Sequence, residues 1–334
     1  MGNQYRSFFC TALLFLAGYS FFGLTNRAIQ EQSDEISASV SKTTYTSGDT
    51  IDVIATISPQ ISRNLKKPVV SWATTSGQSG RLDYGGNENL TITFVAPDVK
   101  RPRTEQLVIK LYDSDKFLAE RISEMYILPK TASPIEIPIV FYDPLKSIPA
   151  LEQSLSTRGF QVSHLGNVID KQALLMTSIF DDQVSRHLQS GGRAVILIDS
   201  KDALPDVSPI KVKARSDEPK TRIWVRSDAE PFSEVASDKA LGTEATSISP
   251  RFYIGSVKKE NYDDVMAGDF SYESKDDPTL ALQMWAAGGR AFVTTFRFDQ
   301  YGSDAFATSL LDAIMRYTMS QQFKPHMNWH IREE

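Results

Sequence analysis

The residues best suited to chemistry are carboxylates, because cysteine and histidine are scarce. The chain has one cysteine, Cys10, and four histidines, His164, His187, His326 and His330. A single cysteine excludes an internal disulfide and any cysteine-based metal cluster. His326 and His330 are four residues apart but stand in a polar tail, without the glutamate that accompanies a helical zinc pair. No metal and no cofactor is expected. The carboxylates form adjacent pairs, Asp181/Asp182, Asp263/Asp264 and Asp276/Asp277. Glycoside hydrolysis needs two carboxyls facing each other across a cleft, about 5–9 Å apart. Neighbours on one loop do not face each other, so each pair reads as a helix cap or solvated loop. Asp143 differs, because it follows the apolar run 137–142 at what would be the carboxyl end of a strand, where α/β folds bind ligands. Asp199 stands in the same relation to the run 193–198. Trp224, with Arg226 and Tyr253, could form a shelf against the apolar face of a sugar, or could pack in the core. The pairs Gly191-Gly192 and Gly288-Gly289 lack phosphate-loop spacing and read as turns.

Positioning these residues takes two kinds of element. From 35 to 128, short alternating segments separated by turn residues predict about seven strands and an all-β sandwich. Ile51 to Ile57, Val69 to Trp72 and Asn89 to Phe94 are the clearest, and Trp72 is expected to pack in the core. After a short polar linker the period changes. Continuous apolar runs at 137–142 and 193–198 have the look of strands buried on both faces. Residues 160–165 and 173–177 add two more strands. Helical spacing over 148–158 stops at Gly159, and Asp181 is placed to cap a helix over 182–190. Strands 281–285 and 291–296 flank the second Gly-Gly turn, and Phe306, Leu310, Leu311, Ile314 and Tyr317 lie on one helical stripe. This alternation predicts a three-layer α/β domain of flavodoxin-like type over 135–322, after a sandwich over 35–129 and before a tail at 323–334. Residues 200–260 show no clear period.

The 334 residues suit two domains, and 41% hydrophobic with 23% charged residues is ordinary for globular units. A net charge of −5 gives no basic excess for nucleic acid. The densest basic run, Lys100-Arg101-Pro102-Arg103, reads as a solvated loop. Residues 8–24 carry no charge and are flanked by Arg6 and Arg27, the pattern of an export signal. The segment 1–29 serves either as a cleaved signal, with small residues in Gly18-Tyr19-Ser20, or as a retained membrane anchor. Either way the remainder is expected outside the cytoplasm, in the periplasm or on the extracellular face.

The phrases Thr46-Ser47-Gly48-Asp49-Thr50, Val70-Ser71-Trp72, Phe94-Val95-Ala96-Pro97 and Leu111-Tyr112-Asp113-Ser114 resemble bacterial extracellular Ig-like and PKD-type repeats. That resemblance implies a spacer or adhesive module. Gln189 to Ile196 resembles the helix-to-strand turn of class I glutamine-amidotransferase-like folds. Tyr262 to Gly268, Gly288-Gly289-Arg290, Thr294 to Phe298, Gly302 to Ala307 and Leu310 to Ala313 are similar to the amidotransferase-like accessory domain late in some glycoside hydrolase family 2 proteins. The resemblance implies an amidotransferase-like fold, but the sugar-hydrolysing barrel of those proteins has no counterpart here. An amidotransferase nucleophile needs a Gly-x-Cys-x-Gly elbow and a histidine. This chain reads Ile198-Asp199-Ser200-Lys201-Asp202 there, with no histidine from 188 to 325. The leading expectation is therefore a non-catalytic envelope protein with a module for a polysaccharide or protein partner. A carbohydrate-active hydrolase using Asp143 with a distant carboxylate, or a structural subunit of an envelope assembly, are the alternatives.

Overall fold

The computed structural model describes residues 35–85, 89–130, 136–166, 170–205, 208, 210–215, 223–269 and 278–329. The segment 1–29, Cys10, Asp276/Asp277 and His330 lie outside the described residues. Among those described, no helix is long and apolar enough to cross a membrane. The chain divides into two units. The first holds residues 35–41, 50–95 and 105–124; the second holds 42–49, 96–104 and 125 onward.

The first unit is β-structure. One sheet has the order β1 (Ile36–Val40), β3 (Thr50–Ile57), β6 (Asn89–Val95). The other runs β8 (Lys116–Leu128), β7 (Arg103–Asp113), β4 (Pro68–Thr74), β5 (Ser79–Asp83). Alternation decides which face is buried: Ile51, Val53, Ala55 and Ile57 of β3 point inward, while Asp52 and Ile54 point out. Leu107, Ile109 and Leu111 do the same on β7. The two sheets meet where the Trp72 and Phe94 rings lie 5.9 Å apart. Trp72 is half-buried and lies over its cross-strand partner Gly80, where a Cβ would come within 2.6 Å of the indole. A single helical turn, Pro59–Ser62, interrupts the strand pattern.

The second unit is richer in strand than a regular alternation of strand and helix would give. It has only three helices of eight residues or more among the described residues: α1 (Pro149–Thr157), α2 (Asp182–Gln189) and α3 (Ala305–Met319). Its first strand, β2 (Thr44–Thr46), lies parallel to the end of β8 from Tyr126 to Leu128. The others are β9 (Ile139–Tyr142), β10 (Val162–His164), β11 (Leu174–Thr177), β12 (Arg193–Leu197), β13 (Lys211–Ala214), β14 (Ile223–Val225), β15 (Ala240–Leu241), β16 (Phe252–Gly255), β17 (Val265–Asp269), β18 (Thr279–Ala286), β19 (Gly289–Thr294) and β20 (Asn328–Trp329). The order β10-β9-β11-β12-β19 is parallel throughout. From β19 onward β18, β17, β14 and β15 continue antiparallel. The uninterrupted apolar runs are thus strands buried on both faces. Ile139, Phe141, Leu174, Met176 and Val195 join a core with α1 and α3, whereas Val140, Leu175, Ala194 and Ile196 join a second core with α2. Each fully buried Leu, Ile or Phe contributes about 1.5–3 kcal/mol.

The two Gly-Gly turns meet at the amino ends of the adjacent central strands β12 and β19. Gly191 and Gly288 adopt positive φ. A Cβ on Gly289 would fall 2.6 Å from the carbonyl oxygens of Gly192 and Leu188, so backbone packs on backbone there. The segment 42–49 is pinned to α3. The Asp304 carboxylate caps that helix through Ala307 N at 2.8 Å and also accepts from Thr44 Oγ1 at 3.0 Å and Ser247 Oγ at 2.7 Å. The Tyr126 hydroxyl accepts from Ser237 N at 2.9 Å and donates to Val235 O at 3.1 Å.

Candidate functional site

The carboxyl ends of the parallel strands gather the polar residues of the second unit. β9 delivers Tyr142, whose hydroxyl donates to Asp181 Oδ2 at 2.7 Å. The other oxygen of Asp181 accepts from Gln183 N at 2.9 Å and Val184 N at 3.0 Å, capping α2 as its sequence position predicts. Burial, then the hydrogen bond to Asp181, pushes the Tyr142 phenol up to about 12, so at neutral pH it is a donor and not a base. Asp143 turns the chain from β9 into α1. Its oxygens accept from Ser147 N at 3.1 Å and Ile148 N at 3.0 Å. Just after β11 comes Ser178, which is fully buried and whose hydroxyl has no hydrogen-bond partner among the described residues.

β12 delivers Asp199, whose side chain is 6% exposed. A buried carboxylate needs a partner, and Arg251 supplies it as a fork, with Nε 2.9 Å from Oδ1 and Nη2 on Oδ2. Arg297 Nε stands 3.9 Å from the same oxygen, and its Nη2 is paired with Asp299. The edge beyond β12 and β19 is therefore a chain of alternating charge, Arg251, Asp199, Arg297, Asp299. The hydrogen bond to Asp199 raises the already high pKa of Arg251, so the guanidinium stays protonated. Ser200 Oγ accepts from Asp202 N at 3.2 Å and serves as the cap of a short turn. Beside the start of α2 lies a depression of about 570 Å³, lined by Asp181, Asp182, Asp202 and Arg186 among others.

The described histidines are dispersed. His164 is exposed at the end of β10, with Nε2 3.4 Å from Glu152. His187, on α2, lies beside Arg193 at the opposite end of β12 from Asp199, roughly 20 Å away at about 3.3 Å per residue. It is buried, with Nε2 3.3 Å from Arg193 O and Nδ1 without a partner, and burial lowers its pKa. His326 is exposed beside Asp264. Asp264 itself is 1% exposed and holds the C-terminal segment by accepting from His326 N at 3.0 Å, from Met327 N and from Gln283 Nε2 at 2.9 Å. It sits three strand spacings from β12, roughly 14 Å at about 4.8 Å each. Asp143, Asp199 and Asp264 therefore do not converge on one pocket. Among the described residues, no group of three or more His, Cys, Asp or Glu side chains is placed to hold a metal ion.

The aromatic shelf is split. Trp224 is half-buried over Gly268, its cross-strand partner, where a Cβ would come within 2.5 Å of the indole. Its neighbours Ile223 and Val225 point into the α1/α3 core, so Trp224 faces the other way. Tyr253 packs against that same α1/α3 core. Arg226 donates to Asp263 O. Sequence reasoning missed the partners that engage these residues, Arg251 above all, because it lies 52 residues from Asp199 with no local signal.

No family model and no curated protein matches the chain. Among solved structures it is similar to a conjugative transposon lipoprotein from Bacteroides eggerthii, at 12% identity over 28% of this chain and 98% of that one, with a TM-score of 0.21. It is also similar to a β-galactosidase from Halorubrum lacusprofundi, at 12% identity over 55% of this chain and 31% of that one, with a TM-score of 0.30. A β-glucuronidase from Parabacteroides merdae matches at 8% identity over 49% of this chain and 24% of that one, with a TM-score of 0.22. The chain thus spans under a third of the length of either glycosidase. Likenesses this low carry no argument about function.

Proposed function

We propose that the protein acts outside the cytoplasm as a non-catalytic recognition protein. The sandwich is an Ig-like spacer. The second unit is an amidotransferase-like module that has no nucleophile and binds a carbohydrate or an envelope partner. Three features support the reading. The uncharged run 8–24 supplies an export signal. The parallel strands, numbered by sequence, run in the order 2-1-3-4-5, that of flavodoxin-like sheets, whose ligands bind beyond the carboxyl ends. The strand-end position after β12, where amidotransferases place a nucleophile, is filled by Asp199 in its arginine pairs and by Ser200 acting as a cap.

The last observation carries the proposal. An acid, base or nucleophile needs a free lone pair or proton within reach of substrate. Asp199 is held by Arg251 and Arg297, each Asp143 oxygen accepts a backbone N–H of its own loop, and His164, the described histidine nearest Asp143, stands beside Glu152. The test is the full chain in mild detergent, assayed for glutamine hydrolysis and for cleavage of chromogenic glycosides, alongside a glycan-binding panel. Binding without turnover is expected. Turnover abolished by Asp199→Ala would overturn the reading.

A further inference from the structure

The second unit contains a cleft that none of Asp143, Asp181 and Asp199 lines. It has a volume of about 500 Å³, and every residue lining it belongs to the second unit. That volume is within the 300–1,000 Å³ typical of small-ligand sites. Four cations line it: Lys100, Arg101, Lys130 and Arg316. One carboxylate, Glu234, opposes them and is paired with Arg316. The side chains of Lys100, Arg101 and Lys130 have no ion-pair partner among the described residues. A chain with a net charge of −5 therefore concentrates positive charge in one concavity. Confinement against low-dielectric walls focuses that field on a bound anion.

The rest of the lining narrows the ligand. Ser233 and Ser309 offer hydroxyls that no described residue engages, and Leu128 and Val235 contribute buried apolar surface. The 233–235 turn is fixed from beneath by the Tyr126 hydroxyl, which bonds Val235 O and Ser237 N. Arg316 is fixed on the last turns of α3. Among the described residues no aromatic ring lines the cleft, so a neutral sugar would find no stacking face on them. Its walls are a loop, a strand end, a short turn and a helix flank. A peptide held through its backbone would want a free strand edge, which the cleft does not offer; an acidic peptide held by its charges alone is the competitor that the polyglutamate comparison below tests.

We infer that this cleft binds an acidic saccharide, a uronate-bearing oligosaccharide whose carboxylates meet Lys100, Arg101, Lys130 and Arg316 while its hydroxyls meet Ser233 and Ser309. Glu234 is the internal competitor that a ligand carboxylate displaces from Arg316. This inference rests on the recognition reading above and supplies its ligand class.

The full chain in mild detergent is titrated calorimetrically with trigalacturonic acid and with its fully methyl-esterified, uncharged counterpart, at low and at high salt. The acid is expected to bind and the ester not, with affinity falling as salt screens the charges. The triple variant Lys100→Ala/Arg101→Ala/Lys130→Ala is expected to weaken binding at least about tenfold, each exposed charge pair contributing a modest factor. Glu234→Gln is expected to tighten it by freeing Arg316. Unchanged circular dichroism and melting temperature will establish that each variant is folded. Equal binding of acid and ester, or a triple variant that binds like the parent, overturns the inference. So does tighter binding of a polyglutamate peptide matched in charge. Binding of neutral glycans that ignores the triple variant would sink this inference and leave the recognition reading standing. Cleavage of the trisaccharide that Asp199→Ala abolishes would sink the recognition reading and leave the cleft standing.

Discussion

Asp312→Ala should be among the most damaging substitutions in the second unit. Asp312 is 3% exposed on α3. It accepts from the Tyr301 hydroxyl at 2.7 Å and from Arg158 Nη2 at 2.9 Å, and Arg158 lies over the Tyr301 ring at 5.2 Å. This triad ties α1 to α3 on one face of the sheet. Burial raises the Asp312 pKa, and the hydrogen bond from Tyr301 and the charge of Arg158 oppose that rise. Truncation leaves the buried Tyr301 hydroxyl (its other contact is Arg158) without its acceptor, at about 1–3 kcal/mol. The Arg158 pair adds little, about 0–1 kcal/mol, because that side chain is 36% exposed and solvent-screened. The sum is about 1–4 kcal/mol, which at about 2–4 °C per kcal/mol for a unit of this size is a melting shift of roughly 2–16 °C. Asp312→Asn keeps an acceptor for Tyr301 and should cost about half as much. Thermal unfolding of the full chain by circular dichroism reads both. An Asp312→Ala shift below about 2 °C, or an Asn variant as damaged as the Ala variant, would refute the assignment of the cost to the Tyr301 acceptor.

Gly289→Ala should be severe for a different reason. Its Cβ would meet carbonyl oxygens at 2.6 Å, and backbone cannot swing aside, so a loss of about 2 kcal/mol or more is expected, whereas Gly85→Ala, with nothing within 4 Å, should be nearly neutral in the same unfolding assay. His187 gives a pH signature. Its folded pKa lies below the unfolded value of about 6.5, so the folded state binds fewer protons and stability falls as pH drops below that value, by at most about 1.4 kcal/mol per pH unit, until the folded pKa is reached. His187→Gln removes the titrating ring, and urea unfolding across that acid range should then lose this component of its slope. An unchanged slope would place the acid sensitivity elsewhere.

The fold was legible where pattern length was sufficient. The stripe from Phe306 to Tyr317 became α3, the runs at 139–142 and 193–197 became central parallel strands, and Asp181 became the cap its position suggests. Residues 200–260 show no period because the described ones among them fold as strands of two to four residues and short 3₁₀ turns, too brief for any repeat to register. The candidate site was half legible. Asp143 and Asp199 do stand at strand ends, but their meaning depends on what reaches them. That is the local backbone for one and a distant arginine for the other. The run at Lys100 reads as a solvated loop from sequence; in the fold, two of its cations join Lys130 and Arg316, which only the tertiary structure brings near.

The central claim is recognition without chemistry. It is tested most directly by incubating the full chain with neutral and acidic oligosaccharides, recording saturation-transfer NMR for contact and chromatography for products on the same samples. Contact with at least one oligosaccharide and no product is the expected result. Product that disappears in Asp199→Ala, or no contact with any oligosaccharide or envelope extract, would contradict it.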